Sequence, residues 1–147
     1  MTTSPRGDLF DPLCPTRQLL DRIGTKWTSM AVKVLAEAAP GEVRFADLRR
    51  RMPGVSQKML SVTLRSLVRD GLVARRVEAT VPPAVHYRLT DLGRSLEVPL
   101  AALRAWAEEH MSLIDDLNRR PAPDTPSADT STTSSRITSL DTDTSSS

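Results

Sequence analysis

The sequence predicts a mainly α fold with one small β-hairpin, an α+β domain that closes on a single long helix. Three observations predict it. Hydrophobic residues make up 39% of the chain and aromatics only 3%, so the core must come from Leu, Val, Ile and Ala, which suits packed helices. Apolar residues recur at helical spacing through most of residues 13–118. Strand-like runs occur as one adjacent pair, Leu72 to Val77 and Val85 to Leu89.

Leu19, Leu20 and Ile23 mark a short first helix that Gly24 ends. Trp27, Met30, Ala31, Val34 and Leu35 mark a second, stopped by Pro40-Gly41. Val43-Arg44-Phe45 is expected as a brief strand, and Ala46 to Met52 as a short helix ended by Pro53-Gly54. In the next helix Ser56 stands at the N-cap, where its hydroxyl can accept an orphan backbone N–H. Leu60, Leu64 and Leu67 then fall at i, i+4 and i+7 on one face. Lys58, Ser61, Val62, Arg65 and Arg69 share the opposite face, and Asp70-Gly71 closes the helix. A short helix, a Pro-Gly turn and a longer basic helix make a helix-turn-helix. The hairpin that follows at once is a wing. In its second strand Val85, Tyr87 and Leu89 alternate with His86 and Arg88. Pro82-Pro83 stiffen the connection.

The last helix is expected to start after Thr90 as N-cap, with Asp91 in its first turn. Leu92, Leu96, Leu100, Leu103, Ala107, Met111 and Ile114 form its apolar stripe, widened by Val98, Ala102 and Trp106. Pro99 is expected to kink it. A stripe this long exceeds the needs of one small domain, so a second copy of the chain is the expected partner. Leu100, Leu103, Trp106, Ala107, Met111 and Ile114 are the expected dimerisation residues.

Charge divides the chain. Arg17 to Arg104 holds 16 Lys or Arg against 8 Asp or Glu, whereas residues 121–147 hold one Arg against four Asp. A basic folded unit favours a polyanionic partner. The last 27 residues contain 15 Ser or Thr and three prolines, too little apolar surface to offset the entropy of ordering. The expected organisation is a flexible arm over residues 1–12, a folded unit over 13–118 and a disordered tail over 119–147. No stretch approaches the roughly 20 apolar residues of a membrane span. Met1 to Pro15 lack the apolar region of a secretory signal, so a cytoplasmic, nucleoid-associated location is expected. A single cysteine excludes an intrachain disulfide framework.

Several stretches then carry a resemblance: Cys14-Pro15, Gly24-Thr25-Lys26-Trp27, Arg44-Phe45-Ala46-Asp47-Leu48, Pro53-Gly54-Val55-Ser56-Gln57-Lys58-Met59-Leu60, Asp70-Gly71-Leu72-Val73, Val81-Pro82-Pro83 and Tyr87-Arg88-Leu89-Thr90-Asp91-Leu92-Gly93. Their order and spacing, from Cys14 to about Met111, resemble the HxlR-type winged helix-turn-helix regulators. Thr25 takes a place often held by glycine and His86 one often held by glutamate. The second departure bears on a charge pair near the wing. The resemblance implies a winged helix-turn-helix with a long C-terminal dimerisation helix, in a repressor or activator that binds double-stranded DNA as a homodimer. It also implies that some members sense oxidants or electrophiles through an N-terminal cysteine.

The candidate site residues follow. Ser56, Gln57, Lys58, Ser61, Val62 and Arg65 are expected to face the bases. Gln pairs well with adenine, Arg or Lys with guanine, and Val62 meets a thymine methyl. Arg69 suits a phosphate, and Arg75, Arg76 and Arg88 on the wing suit phosphates or the minor groove. Cys14 has three readings: an inert buried thiol, a sensor or a link between subunits. Arg17, three residues on, is a cation of the kind that favours thiolate. His86 and His110 lack companions at metal-ligand spacing. No cofactor is expected, a small-molecule or oxidant effector remains open, and no catalytic constellation or phosphate loop is present. The competing reading is a winged-helix module that binds another protein.

Overall fold

In the computed structural model, residues 7–122 are described; residues 1–6 of the expected arm and 123–147 of the expected tail lie outside that range. The chain divides into two units, 1–112 and 113–147. The elements are α1 (Pro15–Ile23), α2 (Lys26–Ala38), β1 (Val43–Arg44), α3 (Phe45–Arg51), α4 (Gln57–Arg69), β2 (Val73–Glu78), β3 (Ala84–Leu89) and α5 (Asp91–Arg119). This is the mainly helical winged helix-turn-helix that the sequence predicts, with one addition.

The addition is a pairing: the brief strand expected at Val43-Arg44-Phe45 joins the hairpin as a third strand. β1 pairs antiparallel with β3 through Val43↔Tyr87 and Arg44↔His86, and β2 pairs with β3 from Val73↔Leu89 to Glu78↔Ala84. The hairpin is thus the larger part of a three-stranded sheet, ordered β1-β3-β2. Phe45, expected to end β1, starts α3 instead.

The core forms where the helices meet this sheet. Val32 and Leu35 of α2, Leu48 of α3, Met52, and Leu60, Leu64 and Leu67 of α4 are fully buried. Tyr87 and Leu89 of β3 join them. Each of these side chains stabilises the fold by about 1.5–3 kcal/mol on burial. α1 buries none of its residues in this single chain, and Leu19 and Leu20 stand exposed.

Two joints set the position of the long helix. Gly71 has φ of 73°, the left-handed turn that ends α4. Thr90 then ties the start of α5 to this turn: its N–H donates to the Leu72 carbonyl (3.1 Å) and its hydroxyl to the Gly71 carbonyl (2.6 Å). Its Oγ1 also accepts from Gly93 N–H (3.1 Å), which makes Thr90 the N-cap. Gly93 packs so close that a Cβ there would lie 2.0 Å from the Leu72 oxygen. α5 continues through Pro99, whose missing N–H leaves the Ser95 carbonyl without its i+4 donor. Leu113 to Arg119, the end of α5, belong to the second unit, where Arg119 pairs with Asp116 at 3.4 Å.

Before α1, residues 8–13 turn back on themselves. The Asp8 carboxylate accepts from Phe10 N–H and that of Asp11 from Leu13 N–H, each at 2.9 Å.

Candidate nucleic-acid interface

The interface begins with the cap of α4. Ser56 is extended, and its Oγ accepts from Met59 N–H at 3.0 Å, satisfying an orphan donor of the first turn. Leu60, Leu64 and Leu67 seat the helix in the core. That seating turns Gln57, Lys58, Val62, Arg65 and Arg69 outward, all exposed, with Ser61 half-buried beside them. Val62 is 49% exposed, a β-branched apolar side chain held in water among cations.

Charge pairing separates the arginines into two sets. Arg22, Arg50, Arg51, Arg76, Arg94, Arg104 and Arg119 each hold a carboxylate. Among the described residues Lys58, Arg65, Arg69, Arg75 and Arg88 hold none, nor do Arg17, Lys26, Lys33, Arg44, Arg49 and Arg120 elsewhere on the chain. The unneutralised cations therefore include every cation expected on the recognition helix and two of the three expected on the wing.

Arg76 departs from the sequence expectation. Its guanidinium grips Glu42, with Nε at 3.0 Å from both carboxylate oxygens and an NH2 nitrogen at 2.7 Å from Oε2. These hydrogen bonds, aided by the charges of Arg76, His86 and Arg88, hold the Glu42 carboxyl below its ordinary range despite desolvation. The same bonds raise the Arg76 guanidinium. Arg76 is thus neutralised at home, because β1 brings Glu42 alongside β3 and β2. His86 belongs to the same cluster, its Nε2 at 2.8 Å from Glu78 and its Nδ1 at 3.9 Å from Glu42. The histidine in a place often held by glutamate does sit in a charge cluster at the wing.

Arg75 is placed differently. It stands opposite Tyr87 in the β2–β3 register, whereas Arg76 stands opposite His86. Successive residues of a strand point to opposite faces. Arg75 therefore shares the face of the sheet that looks onto α4, where it lines a cavity with Ser61 and Arg65. Arg88, opposite Ala74, shares the other face with Arg76.

Sequence reasoning passed over α3. Arg49 and Arg50 line a groove of about 530 Å³ with Phe45, Pro53 and Gln57, at the approach to the recognition helix. Arg50 is paired with Asp47 at 2.6 Å, and Arg49 has no acidic partner among the described residues. α3 is the first helix of the helix-turn-helix, the one that crosses the backbone in DNA complexes of this motif. The run Arg49-Arg50-Arg51 was the available signal.

On α5, Leu103, Trp106 and Met111 are exposed, as are Leu92 and Val98, and Ala107 is half-buried. Trp106 stacks on His110 with ring centroids 4.5 Å apart. Leu100 corrects an expectation: it is 8% exposed and belongs to the protomer's own core. One side of the stripe is used at home, and only the other is left for a partner. Ile114 lies in the second unit.

Cys14 is the N-cap residue of α1 and is 3% exposed. A Cβ on Gly7 would meet its Sγ at 2.4 Å, so the backbone at Gly7 covers the thiol. Arg17 turns instead to the Phe10 carbonyl, at 3.2 Å. At the far end of α1, Arg22 makes a two-pronged pair with Asp70, the C-cap of α4, at 2.9 and 3.0 Å. The described residues hold no cluster of three metal-ligating side chains, and none of their helices is long and apolar enough to cross a membrane.

The profile of the HxlR-like helix-turn-helix family matches residues 22–115, which span α2 through most of α5. The chain belongs to this family. Relatives agree. The HTH-type transcriptional regulator YtfH of Escherichia coli is 41% identical over 102 residues, 69% of this chain and 79% of the relative. A solved structure described as the transcriptional regulator ytfH from Salmonella typhimurium is 38% identical with a TM-score of 0.72, covering 78% of this chain and 99% of that one. The redox regulator HypR in its reduced form is 36% identical with a TM-score of 0.58, covering 69% and 98%. This HxlR-like chain is therefore a transcriptional regulator of the helix-turn-helix type and not an enzyme.

Proposed function

We propose that this chain is a sequence-specific DNA-binding repressor that acts as a homodimer on near-palindromic operators. The observation that carries the reading is the set of unpaired cations. Lys58, Arg65 and Arg69 share the capped recognition helix with Gln57 and Val62, and no carboxylate among the described residues neutralises them. A protein-binding module has no need to leave that face positive, whereas a polyanion does its neutralising from outside. Ser56, Gln57, Lys58, Ser61 and Val62 enter the major groove, with Arg69, Arg75 and Arg88 toward phosphates. Leu103, Trp106, Ala107, Met111 and Ile114 pair with a second copy, setting two recognition helices about 34 Å apart. The likeness to HypR, a redox regulator, supports an oxidant as effector. Here the backbone at Gly7 must lift before an oxidant reaches Cys14, and an oxidant response unchanged in Cys14→Ser would remove the thiol from the account.

The test is selection of duplexes by the purified protein from a random-sequence pool, followed by titration over a salt series. Recovery of a near-palindrome bound far more tightly than a scrambled duplex is the expected result. Equal, weak binding of both that vanishes with salt would leave only the phosphate attraction and refute the regulator as proposed.

A further inference from the structure

Between the recognition helix and the wing lies a polar notch of about 330 Å³, lined by Ser61, Arg65, Val68, Arg75 and Tyr87. Two elements build it. Ser61, Arg65 and Val68 stand at i, i+4 and i+7, so they share one side of α4. Arg75 and Tyr87 are Cα partners across β2 and β3, so their side chains leave the sheet on the same face. The notch thus gathers two guanidinium groups, an aliphatic hydroxyl and a phenol, and its lining contains no carboxylate.

Each polar group in it lacks a partner. Neither Arg65 nor Arg75 pairs with an acid among the described residues, although Arg76, the next residue along, is fully engaged by Glu42 on the other face. The Tyr87 ring is largely buried, 6.5 Å from that of Phe45, while its hydroxyl makes no hydrogen bond among the described residues and opens to solvent. A hydroxyl that is solvent-accessible and unpartnered is free to donate to an acceptor that enters the notch. Two guanidinium groups lining one notch repel each other, and an anion between them turns that repulsion into two charge-assisted forks. A phosphate group also offers acceptor oxygens to the phenol and to Ser61.

We propose that this notch is a phosphate clamp, in which Arg65, Arg75 and the Tyr87 hydroxyl hold one phosphate group between the recognition helix and the wing. The proposal rests on the DNA-binding reading for its natural ligand, a phosphate of the duplex backbone. It moves Arg65 from the bases to the backbone and leaves base selection to Gln57, Lys58 and Val62. It also gives Tyr87 a role beyond the core, because a bound phosphate fixes the wing against α4 at the moment of contact.

The experiment compares Tyr87→Phe, Arg75→Gln and Arg65→Gln with the wild type. Tyr87→Phe keeps the ring and removes only the hydroxyl, and thermal melts confirm that each variant folds. In the first arm, the duplex selected from a random pool and a scrambled duplex of the same length are titrated over a salt series. The expected result is that each variant weakens binding to both duplexes by the same factor, roughly tenfold for each arginine and about threefold for the phenol. Because the clamp neutralises one phosphate, the arginine variants singly or together lower the salt slope by no more than about 0.9. A loss confined to the selected duplex, or wild-type binding by Tyr87→Phe, overturns the clamp while leaving DNA binding intact. In the second arm, melting in inorganic phosphate is compared with melting in chloride at equal ionic strength. This arm decides the matter if the wild type binds no duplex at all. Phosphate stabilisation that is lost in Tyr87→Phe and Arg75→Gln retains the clamp for a free phosphate, and absence of stabilisation refutes it.

Discussion

Replacing Gly93 by alanine sets two effects of opposite sign against each other. Inside a helix, alanine is favoured over glycine by roughly 1 kcal/mol. Against that stands the joint between α5 and the sheet, where the added Cβ would lie 2.0 Å from the Leu72 oxygen and 2.9 Å from Leu89 Cδ2. Neither neighbour yields easily: the Leu72 carbonyl accepts from Thr90 N–H at 3.1 Å, and Leu89 is a core residue. Relief of the clash needs a displacement of about 1 Å at the start of α5, where an ordinary contact requires more than about 3 Å. Overpacking of this kind costs about 1–3 kcal/mol. Loss of the Thr90–Leu72 hydrogen bond adds about 1 kcal/mol. The net is a destabilisation of about 1–3 kcal/mol, which lowers Tm by at least roughly 4 °C in a domain of this size. Thermal unfolding followed by circular dichroism measures it. An unchanged or raised Tm would mean that helix propensity wins and that the joint is looser than described.

Other perturbations test other parts. Ser56→Ala removes the Oγ acceptor of Met59 N–H and is expected to cost about 1 kcal/mol in urea unfolding. Leu64→Ala, in the seat of the recognition helix, is expected to cost about 2–5 kcal/mol by the same measurement. Glu42 carries a pH signature: its folded carboxyl is held below the ordinary value of 4.5, so the folded state binds fewer protons than the unfolded chain in that range. Its stabilisation is present above that value and is lost as pH falls through the folded one. The Tm gap between wild type and Glu42→Gln is therefore expected to shrink on acidification, and a gap constant with pH would contradict the Arg76 pairing. Leu103→Asp places a charge on the exposed side of α5 and is expected to shift sedimentation from dimer toward monomer without lowering Tm in dilute solution.

The recognition helix was legible in the sequence because its determinants are local. Ser56 precedes the helix it caps, and Leu60, Leu64 and Leu67 repeat within it. β1 was only half legible: two residues carry no periodicity, and its pairing with β3 is a contact across more than forty positions. The fate of Arg76 was invisible for the same reason, since Glu42 lies 34 positions away and reaches it only through that pairing. The apolar stripe of α5 gave its length correctly but not its sides. A helical period cannot tell that Leu100 faces home and Leu103 faces out, because both satisfy the same repeat.

The two faces of the small sheet finish with unlike electrostatics. Toward α4, Arg75 is bare; on the reverse, Glu42 and Glu78 offset Arg76 and His86 beside the unpaired Arg44 and Arg88. The chain as a whole carries a net charge of only +2, so its monopole exerts little pull at a distance. Screening at physiological salt confines charge effects to about 8 Å. The reverse face is not emptied of charge, since Arg44 and Arg88 lie on it without an acidic partner within salt-bridge distance among the described residues. On the proposed DNA-binding reading, a duplex meets the face toward α4 only at its open edge, where Arg75 and Arg65 line the notch. On the same reading, the Glu42–Arg76 pair withdraws one wing cation from contact and leaves Arg88 as the wing arginine on that side free to meet a phosphate.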